Sequence, residues 1–571
     1  MKNSEVAEVL RNISILLDMD DVQFKPRAYE KAALSIEAME QDVEEIYREG
    51  GIKALMQIPG IGESIAEKIE EFIKTNKLSY YEELRRKVPV DLESLSRIEG
   101  LGPKKIKLLY EGLRIRNMND LEKAAREHRI SKLPGFKART EQNILKGIDF
   151  AKRNQGRFIL GFSLPVIRDV ESRLRALPNV SKVVAAGSVR RMKETIGDVD
   201  YLVLAESSGR VMDYFVSMPE VVSIIEKGKT KSAVRLKTGM NADVRVLPDE
   251  SYGAALQYFT GNKDHNIALR RIAQNKGWKL SEYGLFHDRK QIAGRTEEEV
   301  YEKLGLHWIP PELRENTGEI EAAKNGKLPQ IIDYKDLKGD LQVNSNWTDG
   351  QNSIKEMAEQ AKRNGLEYIV ISDHSKTLAM TGGLDEEQLL KQSEEIEQVN
   401  KQLDGIAVLK GVELNILKDG SVDISDKTLK RLDVVSAGIH SYFDMPKEEM
   451  TKRVIKAVEN PNVHILVHPT TRQIQRREPI QLDLERVFEE AKENGTVLDI
   501  DSFPDRLDLN DEHIKRAVQI GAKLGISSDS HSVAHLHYLE LGIAQARRGW
   551  ATAQDIVNTR SMEEFRKTIK R

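Results

Sequence analysis

The chain of 571 residues contains no cysteine. This absence excludes disulfide bonds, thiolate zinc sites and cysteine nucleophiles. The sequence also lacks any apolar run approaching the roughly 20 residues that a bilayer crossing requires, so no membrane partner is expected. The first residues are polar and lack the apolar stretch of a signal peptide. Together these absences favour a cytoplasmic protein.

An excess of charge of either sign is absent as well. Lysine and arginine number 88, aspartate and glutamate number 91, and the formal net charge is -3. Proteins that bind nucleic acid through their overall charge are usually basic. Any nucleic-acid binding here must therefore be local, through placed donors and short basic patches. The length indicates about three to five domains.

A helical repeat with glycine turns occupies the N-terminal region. Its copies lie at 55–62, 95–102 and, in a looser form, 130–137, each followed by a second helical pattern. Glycine permits positive φ and leaves no Cβ near the backbone, so amides at the start of the second helix can bind phosphate. The candidate DNA-binding residues are Gly60, Gly62, Gly100, Gly102, Lys104, Lys105 and Gly135.

The repeat is similar to the helix-hairpin-helix motif, which in known families holds the DNA backbone without reading its sequence. An ordinary αα-hairpin with a glycine loop is the alternative interpretation. Two strong copies and a weaker third favour binding to the DNA backbone.

Paired carboxylates stand on a predicted strand in the next region. Asp198 and Asp200 are two residues apart, so their side chains share one face of the strand. Such a pair is costly unless a cation lies between them, and hard oxygen ligands suit Mg²⁺ or Mn²⁺. Asp243, on another predicted strand, is the natural third carboxylate.

A glycine-serine turn precedes these carboxylates. Gly187 and Ser188 can supply amides and a hydroxyl to phosphate, Arg191 can supply a cation, and Gly197 leads into the carboxylate strand. Phosphoryl transfer needs this combination, because one metal activates a 3′-hydroxyl while another holds the triphosphate. An Asp-x-Asp pair alone is common on surface strands, but the combination predicts a nucleotidyltransferase.

These motifs resemble the palm of the family X DNA polymerases. Tyr258, Phe259 and Gly261 resemble the thumb motif that lies against the nucleotide sugar, although core packing would explain the aromatic pair without its neighbours. Asn266 and Arg270 follow at the spacings of the family's minor-groove residues. The resemblance implies that all five bind the nucleotide.

Three further positions are informative when the sequence is compared with this family. The resemblance of the N-terminal region to the family's lyase-type domain implies that Lys68 forms a Schiff base with an abasic-site sugar, whereas the alternative is a contact with a 5′-phosphate. Asn241 stands where the family often has an arginine, and Lys263 stands where some relatives are acidic. Neither change removes a metal ligand.

Histidines and carboxylates recur at predicted strand ends in the C-terminal region. This placement suggests first-row metal ligands at the mouth of an α/β barrel. The candidate ligands are Asp349, His374, Glu413, His440, His468, Asp529 and His531.

The order of these ligands resembles the PHP phosphoesterase domain. The resemblance implies up to three metal ions, Mn²⁺ or Zn²⁺, and a 3′–5′ exonuclease or end-processing activity. The family's first motif usually runs Asp-Leu-His-x-His, but Gln342 and Asn344 stand here in place of the imidazoles. Because amides bind transition metals weakly, we expect one metal position to be weakened while two survive.

The predicted fold is multidomain: an all-α helix-hairpin-helix region, an α+β polymerase-beta-like nucleotidyltransferase palm and thumb, and a C-terminal α/β PHP barrel. The predicted domains are a lyase-like domain (1–85), a fingers-like domain (86–155), the palm (156–247), the thumb (248–315), a linker (316–335) and the PHP domain (336–571).

We expect a monomeric, templated DNA polymerase of family X that fills short gaps in nicked or gapped DNA during base excision repair. It would use dNTPs and Mg²⁺ or Mn²⁺ in the palm, and the PHP domain would act as an exonuclease, with AP lyase or AP endonuclease activity as an addition. The alternatives are a polymerase with a weakened or structural PHP domain, a non-templated nucleotidyltransferase, and a DNA-binding scaffold with decayed sites.

Overall fold

The computed structural model describes residues 2–20, 22, 24–37, 39, 41–96, 98, 101–153, 156–378 and 381–569. These residues form two compact units. The first comprises 1–155, 339–483 and 528–537, and the second comprises 156–338, 484–527 and 538–571. Among the described helices, none is both long enough and apolar enough to cross a membrane.

The N-terminal part of the first unit is helical, as its amphipathic pattern predicts. Apolar side chains three and four positions apart, such as Leu10 and Ile13, are buried in a common core with Ile69 and Ile106. The helices are α1 (Lys2–Met19), α2 (Lys25–Glu37), α3 (Val43–Leu55), α4 (Glu63–Thr75), α5 (Ser79–Lys87), α6 (Leu92–Ser96), α7 (Pro103–Leu113), α8 (Met118–Arg126) and α9 (Ala138–Arg153).

The second unit begins with a five-stranded sheet in the order β2-β4-β7-β6-β5. The two predicted strands that carry Asp198, Asp200 and Asp243 are confirmed, and they are β4 and β7. The elements are β1 (Phe158–Ile159), α10 (Leu160–Arg175), β2 (Val180–Ala185), α11 (Gly187–Arg190), β3 (Thr195–Ile196), β4 (Asp198–Ala205), α12 (Ser208–Val216), β5 (Val221–Lys227), β6 (Lys231–Leu236) and β7 (Asn241–Leu247).

The chain continues into a helical region with a three-stranded antiparallel sheet. The elements are α13 (Tyr252–Thr260), α14 (Lys263–Asn275), β8 (Trp278–Ser281), β9 (Gly284–His287), β10 (Lys290–Ala293), α15 (Glu297–Leu304) and α16 (Glu319–Lys324). Helix α16 lies inside the predicted linker, and its Ala323 is buried in the same core as Leu285 and Val300. The linker segment is therefore partly helical and packed, a contact that its weak periodicity does not reveal.

The C-terminal region alternates strands with helices, as predicted. Its seven strands form one sheet in sequence order, in which the first five strands pair in parallel and so do the last two. A parallel bridge between Val343 and Ser530 brings the ends of the sheet together into a nearly closed barrel. Both faces of the strands are buried, as expected when helices cover one face and side chains fill the barrel.

The elements of this region follow in chain order. They are β11 (Gly339–Val343), α17 (Ile354–Arg363), β12 (Tyr368–Ile371), α18 (Glu386–Gln402), β13 (Ala407–Asn415), α19 (Asp426–Leu429), β14 (Val434–Gly438), α20 (Lys447–Val458), β15 (Ile465–Leu466), α21 (Leu484–Asn494), β16 (Val497–Asp501), α22 (Asp511–Ile520), β17 (Leu524–Ser527), α23 (Leu539–Arg548) and α24 (Met562–Ile569). Helix α17 begins at a capping box made by Ser353 and Glu356, which fixes its start.

A buried ion network holds the loop after β2 against α15. Glu297 is 4% exposed and accepts hydrogen bonds from Arg190 (2.8 and 2.7 Å) and from Arg314 (2.6 Å). Burial works to raise the pKa of Glu297, but the charges of Arg314 and Arg190 outweigh it and lower the pKa to about 2. The carboxylate is thus the shared counter-ion of two arginines.

Replacing Glu297 by alanine should leave both arginines without a counter-ion. We expect Glu297→Ala to lower the free energy of unfolding by about 3–5 kcal/mol, since removal of one partner exposes the desolvation penalty of the others. The contribution should be present above pH 4.5 and decline as the pH falls toward 2. Urea unfolding followed by tryptophan fluorescence measures it, because Trp308 donates to Glu297 at 3.3 Å.

The adjacent Glu298 provides the control for this experiment, because its side chain is exposed on the same turn of α15. Glu298→Ala should change the free energy of unfolding by less than about 1 kcal/mol. Equal effects of the two substitutions would contradict the assignment of Glu297 as the shared counter-ion.

Candidate functional sites

The palm carboxylates lie where β4 and β7 run side by side. In this parallel pair Asp200 is opposite Asp243, and Asp198 is opposite Asn241. Burial, together with the charges of Asp198 and Asp243, raises the pKa of Asp200 to about 6. Clustered carboxylates that resist ionisation in this way fit a divalent cation with oxygen ligands. The structure therefore assembles the three carboxylates that the sequence indicates.

Two cations lie beside Asp243, and of these Lys231 could not be predicted from the sequence. Lys231 Nζ is 3.4 Å from the Asp243 Oδ2 atom, and Arg245 Nη2 is 3.9 Å from it. Arg245 also lies 4.6 Å from the centroid of the Phe259 ring. Lys231 reaches the site because β6 pairs with β7, a pairing that no local signal in the sequence predicts.

The turn after β2 brings the chain close to these carboxylates. Gly187 has φ of 63°, and a Cβ added there would lie 3.7 Å from Asp200 Oδ2 and 3.9 Å from the Phe259 carbonyl oxygen. The positive φ therefore favours glycine, whereas a Cβ at these distances would be in ordinary van der Waals contact. Ser188 and Arg190 follow within the short helix α11, and Gly197 directly precedes β4.

The side chain of Arg191 is hydrogen-bonded to residues at the end of α13 and beyond α15. Its Nε donates to Glu315 Oε1 at 2.9 Å, and its Nη1 donates to the carbonyl oxygen of Thr260. The segment that follows, with Gly261 at φ of 70°, is therefore held against the palm turn. Neither contact is visible from sequence spacing, because Glu315 lies far along the chain.

The remaining predicted nucleotide-binding residues lie at the end of α13 and on α14. The rings of Tyr258 and Phe259 are in edge contact, with centroids 5.2 Å apart. Asn266 is 9% exposed, and its Nδ2 donates to the carbonyl oxygen of Tyr258 at 2.7 Å. Arg270 lies one turn further along α14 and is partly exposed. The amide of Asn266 thus holds the end of α13 in place.

The glycine turns of the helical repeats are built in two ways. Gly60 and Gly135 have φ of 82° and 83°, as predicted. Gly62 and Gly102 do not use the positive φ that glycine permits; they are extended and act as the N-caps of α4 and α7. A Cβ at either N-cap would meet nothing within 4 Å, so that side of the turn is open. Gly100 lies outside the described residues.

Lysines accompany these turns. Lys104 is exposed and Lys105 is partly exposed on the first turn of α7. Lys68, on α4, donates through Nζ to the carbonyl oxygen and to the hydroxyl of Ser64, at 3.0 Å each, and lies 5.1 Å from the centroid of the Tyr80 ring. These positions are compatible with contacts to a phosphate or to a sugar.

The predicted C-terminal ligands converge on Glu413, which is 1% exposed near the end of β13. Its Oε1 is 2.8 Å from His440 Nε2 and 3.0 Å from His468 Nε2, while its Oε2 is 3.3 Å from His374 Nδ1. Burial works to raise the pKa of Glu413, but the neighbouring imidazoles hold it well below its usual range. Convergence at the carboxyl ends of parallel strands explains why distant residues meet.

A second group of ligands adjoins the first. Asp349 Oδ2 lies 3.6 Å from His531 Nε2 and 3.9 Å from His374 Nε2. Burial works to lower the pKa of His531, but Asp349 and Asp529 raise it to about 9. Two triads therefore have donor atoms close enough to hold one ion each: Asp349, His374 and His531, and His374, Glu413 and His440.

The two amide side chains that stand in place of imidazoles, Gln342 and Asn344, lie in the same cluster and are fully buried. Gln342 Nε2 donates to Glu413 Oε2 at 2.8 Å and to Asp529 Oδ1 at 3.2 Å, and Asn344 Nδ2 donates to Asp529 Oδ1 at 3.4 Å. Gln342 Oε1 and Asn344 Oδ1 have no hydrogen-bond partner. An ion that prefers imidazole ligands does not fit at this position. The amide N–H groups of Gln342 and Asn344 donate to the carboxylates that would otherwise bind it.

Comparison with known protein families gives matches along most of the chain. The matched families are a helix-hairpin-helix domain at residues 1–78, a SAM-like helix-hairpin-helix tandem at 92–149, a DNA polymerase beta thumb at 255–315 and a PHP domain at 340–493.

Comparison with individual proteins extends these matches to full length. The DNA polymerase/3'-5' exonuclease PolX of Bacillus subtilis (strain 168) is 34% identical over 576 residues, which cover 100% of both chains. A probable phosphatase of Thermoanaerobacter sp. (strain X514) is 30% identical over 232 residues, 38% of this chain and 89% of the relative. A probable phosphatase of Acetivibrio thermocellus is 31% identical over 227 residues, with the same coverage.

The full-length identity and the matched domains confirm the resemblance that the sequence motifs indicate. They also confirm the predicted fold classes of the N-terminal, thumb and C-terminal regions. The chain belongs to the family X DNA polymerase/3′–5′ exonucleases that carry a C-terminal PHP domain.

Proposed function

We propose that this chain is a templated polymerase that fills short gaps during DNA repair, with Asp198, Asp200 and Asp243 as its catalytic carboxylates. The observation that carries the proposal is the parallel register that sets Asp200 beside Asp243, next to the Gly187 turn. The three carboxylates would bind Mg²⁺ or Mn²⁺. When bound, these ions supply activation of the 3′-hydroxyl and charge stabilisation of the triphosphate.

The residues around the carboxylates would bind and orient the incoming dNTP. Ser188 and Arg191 would contact the triphosphate, and Tyr258 and Phe259 would lie against the sugar. Arg270, on the exposed side of α14, would face the minor groove of the primer-template. Gly187, Gly197 and Gly261 would let the backbone approach, and Asn266 would keep the aromatic pair in place.

The N-terminal repeats would hold the DNA backbone on either side of a gap. The open N-caps at Gly62 and Gly102 and the neighbouring Lys104 and Lys105 support this role, because helix N-termini favour phosphate. Lys68 would contact the 5′ side, as a Schiff-base lysine of an AP lyase or as a phosphate ligand. The protein would act as a cytoplasmic monomer.

The domain limits that we propose are those predicted from the sequence. The four family matches support them, because each match lies inside one predicted domain: 1–78 in the lyase-like domain, 92–149 in the fingers-like domain, 255–315 in the thumb and 340–493 in the PHP domain.

The PHP cluster would act as a 3′–5′ exonuclease with two strong metal positions. The triads at Asp349 and at Glu413 would hold Mn²⁺ or Zn²⁺, and His468 would complete the second. When bound, these ions supply a nucleophilic hydroxide and polarise the phosphodiester. The third position, between Glu413 and Asp529, would be weakened because Gln342 and Asn344 donate to its carboxylates.

Primer extension on gapped DNA with Mg²⁺ or Mn²⁺ tests the palm assignment. We expect the double substitution Asp198→Asn/Asp200→Asn to lower the extension rate by more than about 1,000-fold, because it removes two of the three carboxylates that would bind the metal ions. Each tenfold loss of rate corresponds to about 1.36 kcal/mol of lost transition-state stabilisation. The control is Asp213→Asn, which changes an exposed aspartate on α12 and should leave the extension rate unchanged. Unchanged extension by the double variant would refute the assignment, and product that ignores the template would favour a non-templated nucleotidyltransferase.

Shortening of a 5′-labelled primer from its 3′ end tests the nuclease assignment. We expect His440→Ala or Asp529→Ala to slow shortening by at least about 100-fold while gap extension persists, because each removes a group from the metal cluster. The exposed His307 provides the control, and His307→Ala should retain both activities. Equal shortening by His440→Ala and the unmodified protein would place the nuclease elsewhere.

Metal content tests the role of the two amides. The double substitution Gln342→His/Asn344→His should raise the bound metal from two to about three equivalents per PHP centre, because it restores two imidazole ligands. Elemental analysis after dialysis against Mn²⁺ or Zn²⁺ measures the change, with Gln402→His, on the exposed end of α18, as the control. Equal metal content in all three proteins would mean that these positions are not ligand positions.

A further inference from the structure

Helix α23 lies beyond the segment that matches the PHP family, and within the second unit it contacts the polymerase region. Gln545 Nε2 donates to Glu194 Oε1 at 2.6 Å, and Arg547 Nε donates to Glu312 Oε1 at 2.7 Å. The helix therefore presents polar side chains to the loop before β3 and to the end of the thumb.

Arg548, the last residue of α23, reaches furthest into this region. Its side chain is 1% exposed. Its Nη1 donates to the carbonyl oxygen of Arg191 at 3.1 Å and to Glu315 Oε1 at 3.3 Å, and its Nη2 donates to Asp511. One buried guanidinium thus contacts both the backbone of Arg191 and the carboxylate to which the Arg191 side chain is bound.

Glu315 is the centre of this arrangement. Besides Arg191 and Arg548, it accepts a hydrogen bond from Asn262 Nδ2 at 3.0 Å. Burial works to raise the pKa of Glu315, but Lys193, Arg191 and Arg548 outweigh it and lower the pKa. The ionised carboxylate therefore joins the palm turn to the segment that follows the Tyr258 and Phe259 pair.

The balance of charge shows what Arg548 contributes. We call the group formed by Arg191, Lys193, Glu315, Asp511 and Arg548 the Arg548 cluster. Lys193 Nζ lies 3.9 Å from both carboxylates. Three cations thus face two carboxylates, which leaves one positive charge. Without Arg548 the cluster would be neutral, and Glu315 would compete with any phosphate for the Arg191 guanidinium.

We infer that Arg548 is a positioning residue of the polymerase site. It shares the charge of Glu315 and fixes the backbone of Arg191, so that the Arg191 guanidinium is oriented and still attracts the triphosphate of the incoming nucleotide. This inference rests on the proposed role of Arg191 in nucleotide binding. It makes the C-terminal part of the chain necessary for nucleotide binding in the palm, independently of the nuclease centre.

Single-nucleotide insertion by the full chain tests this inference, with the KM for dNTP and kcat measured separately. Arg548→Met should raise the KM about tenfold and change kcat by less than about twofold, because it weakens a charge-assisted contact that is equally present before and during the reaction. Arg548→Lys should give an intermediate KM, since lysine keeps the charge but lacks the planar fork. Arg547→Met is the control, because it removes a neighbouring ion pair that does not involve Glu315.

Arg191→Met separates the inference from the proposed function. If it raises the KM while Arg548→Met does not, the inference is overturned and the nucleotide-binding role of Arg191 stands. If Arg191→Met leaves the KM unchanged, that role itself fails. An equal rise for Arg547→Met would reveal general loosening and would also overturn the inference.

Thermal unfolding and 3′-end shortening show whether Arg548→Met is folded. If it is not, Arg548→Gln keeps a donor while removing the charge, and the same rise in KM is expected. An unchanged KM in a folded Arg548→Gln protein would overturn the inference.

Discussion

Mutual repulsion between carboxylates is the constraint around which the palm is organised. The parallel pairing of β4 with β7 fixes Asp200 beside Asp243, and burial, together with the field of Asp198 and Asp243, raises the pKa of Asp200 to about 6. Nearby cations offset part of this field: Lys231 reaches Asp243 from β6. Glu297, in turn, accepts hydrogen bonds from Arg190 and so holds the palm turn in place. The strand register thus sets the carboxylates side by side, and a cation from a neighbouring strand offsets part of their repulsion.

The C-terminal barrel also brings titratable side chains close together, but it does so through the ends of its parallel strands. Parallel strands deliver their carboxyl ends to one rim, so ligands from distant parts of the chain meet around Glu413. In the palm the carboxylates repel one another, whereas here three imidazoles surround the buried carboxylate of Glu413. The first arrangement favours hard cations with oxygen ligands, and the second favours ions that accept nitrogen.

Much of this architecture could be predicted from the sequence, because its signals are local. Strand patterns predicted β4 and β7, glycine turns predicted the helical repeats, and strand-end histidines predicted the side chains that meet in the barrel. What could not be predicted depends on tertiary contacts. Lys231 and Arg548 have no motif and act only because folding brings them to Asp243 and Glu315. The extended backbone of the N-cap glycines could not be predicted either, because glycine permits both positive and negative φ.

The buried amides at Gln342 and Asn344 have a consequence for protons. An imidazole titrates near neutral pH and must release its proton before it can bind a metal ion. An amide neither gains nor loses a proton in that range. This end of the cluster has therefore lost two sites at which protons and metal ions compete, and the hydrogen bonds to Glu413 and Asp529 do not depend on the ionisation of their donors. The two amide donors therefore keep the same protons and the same charge across that range.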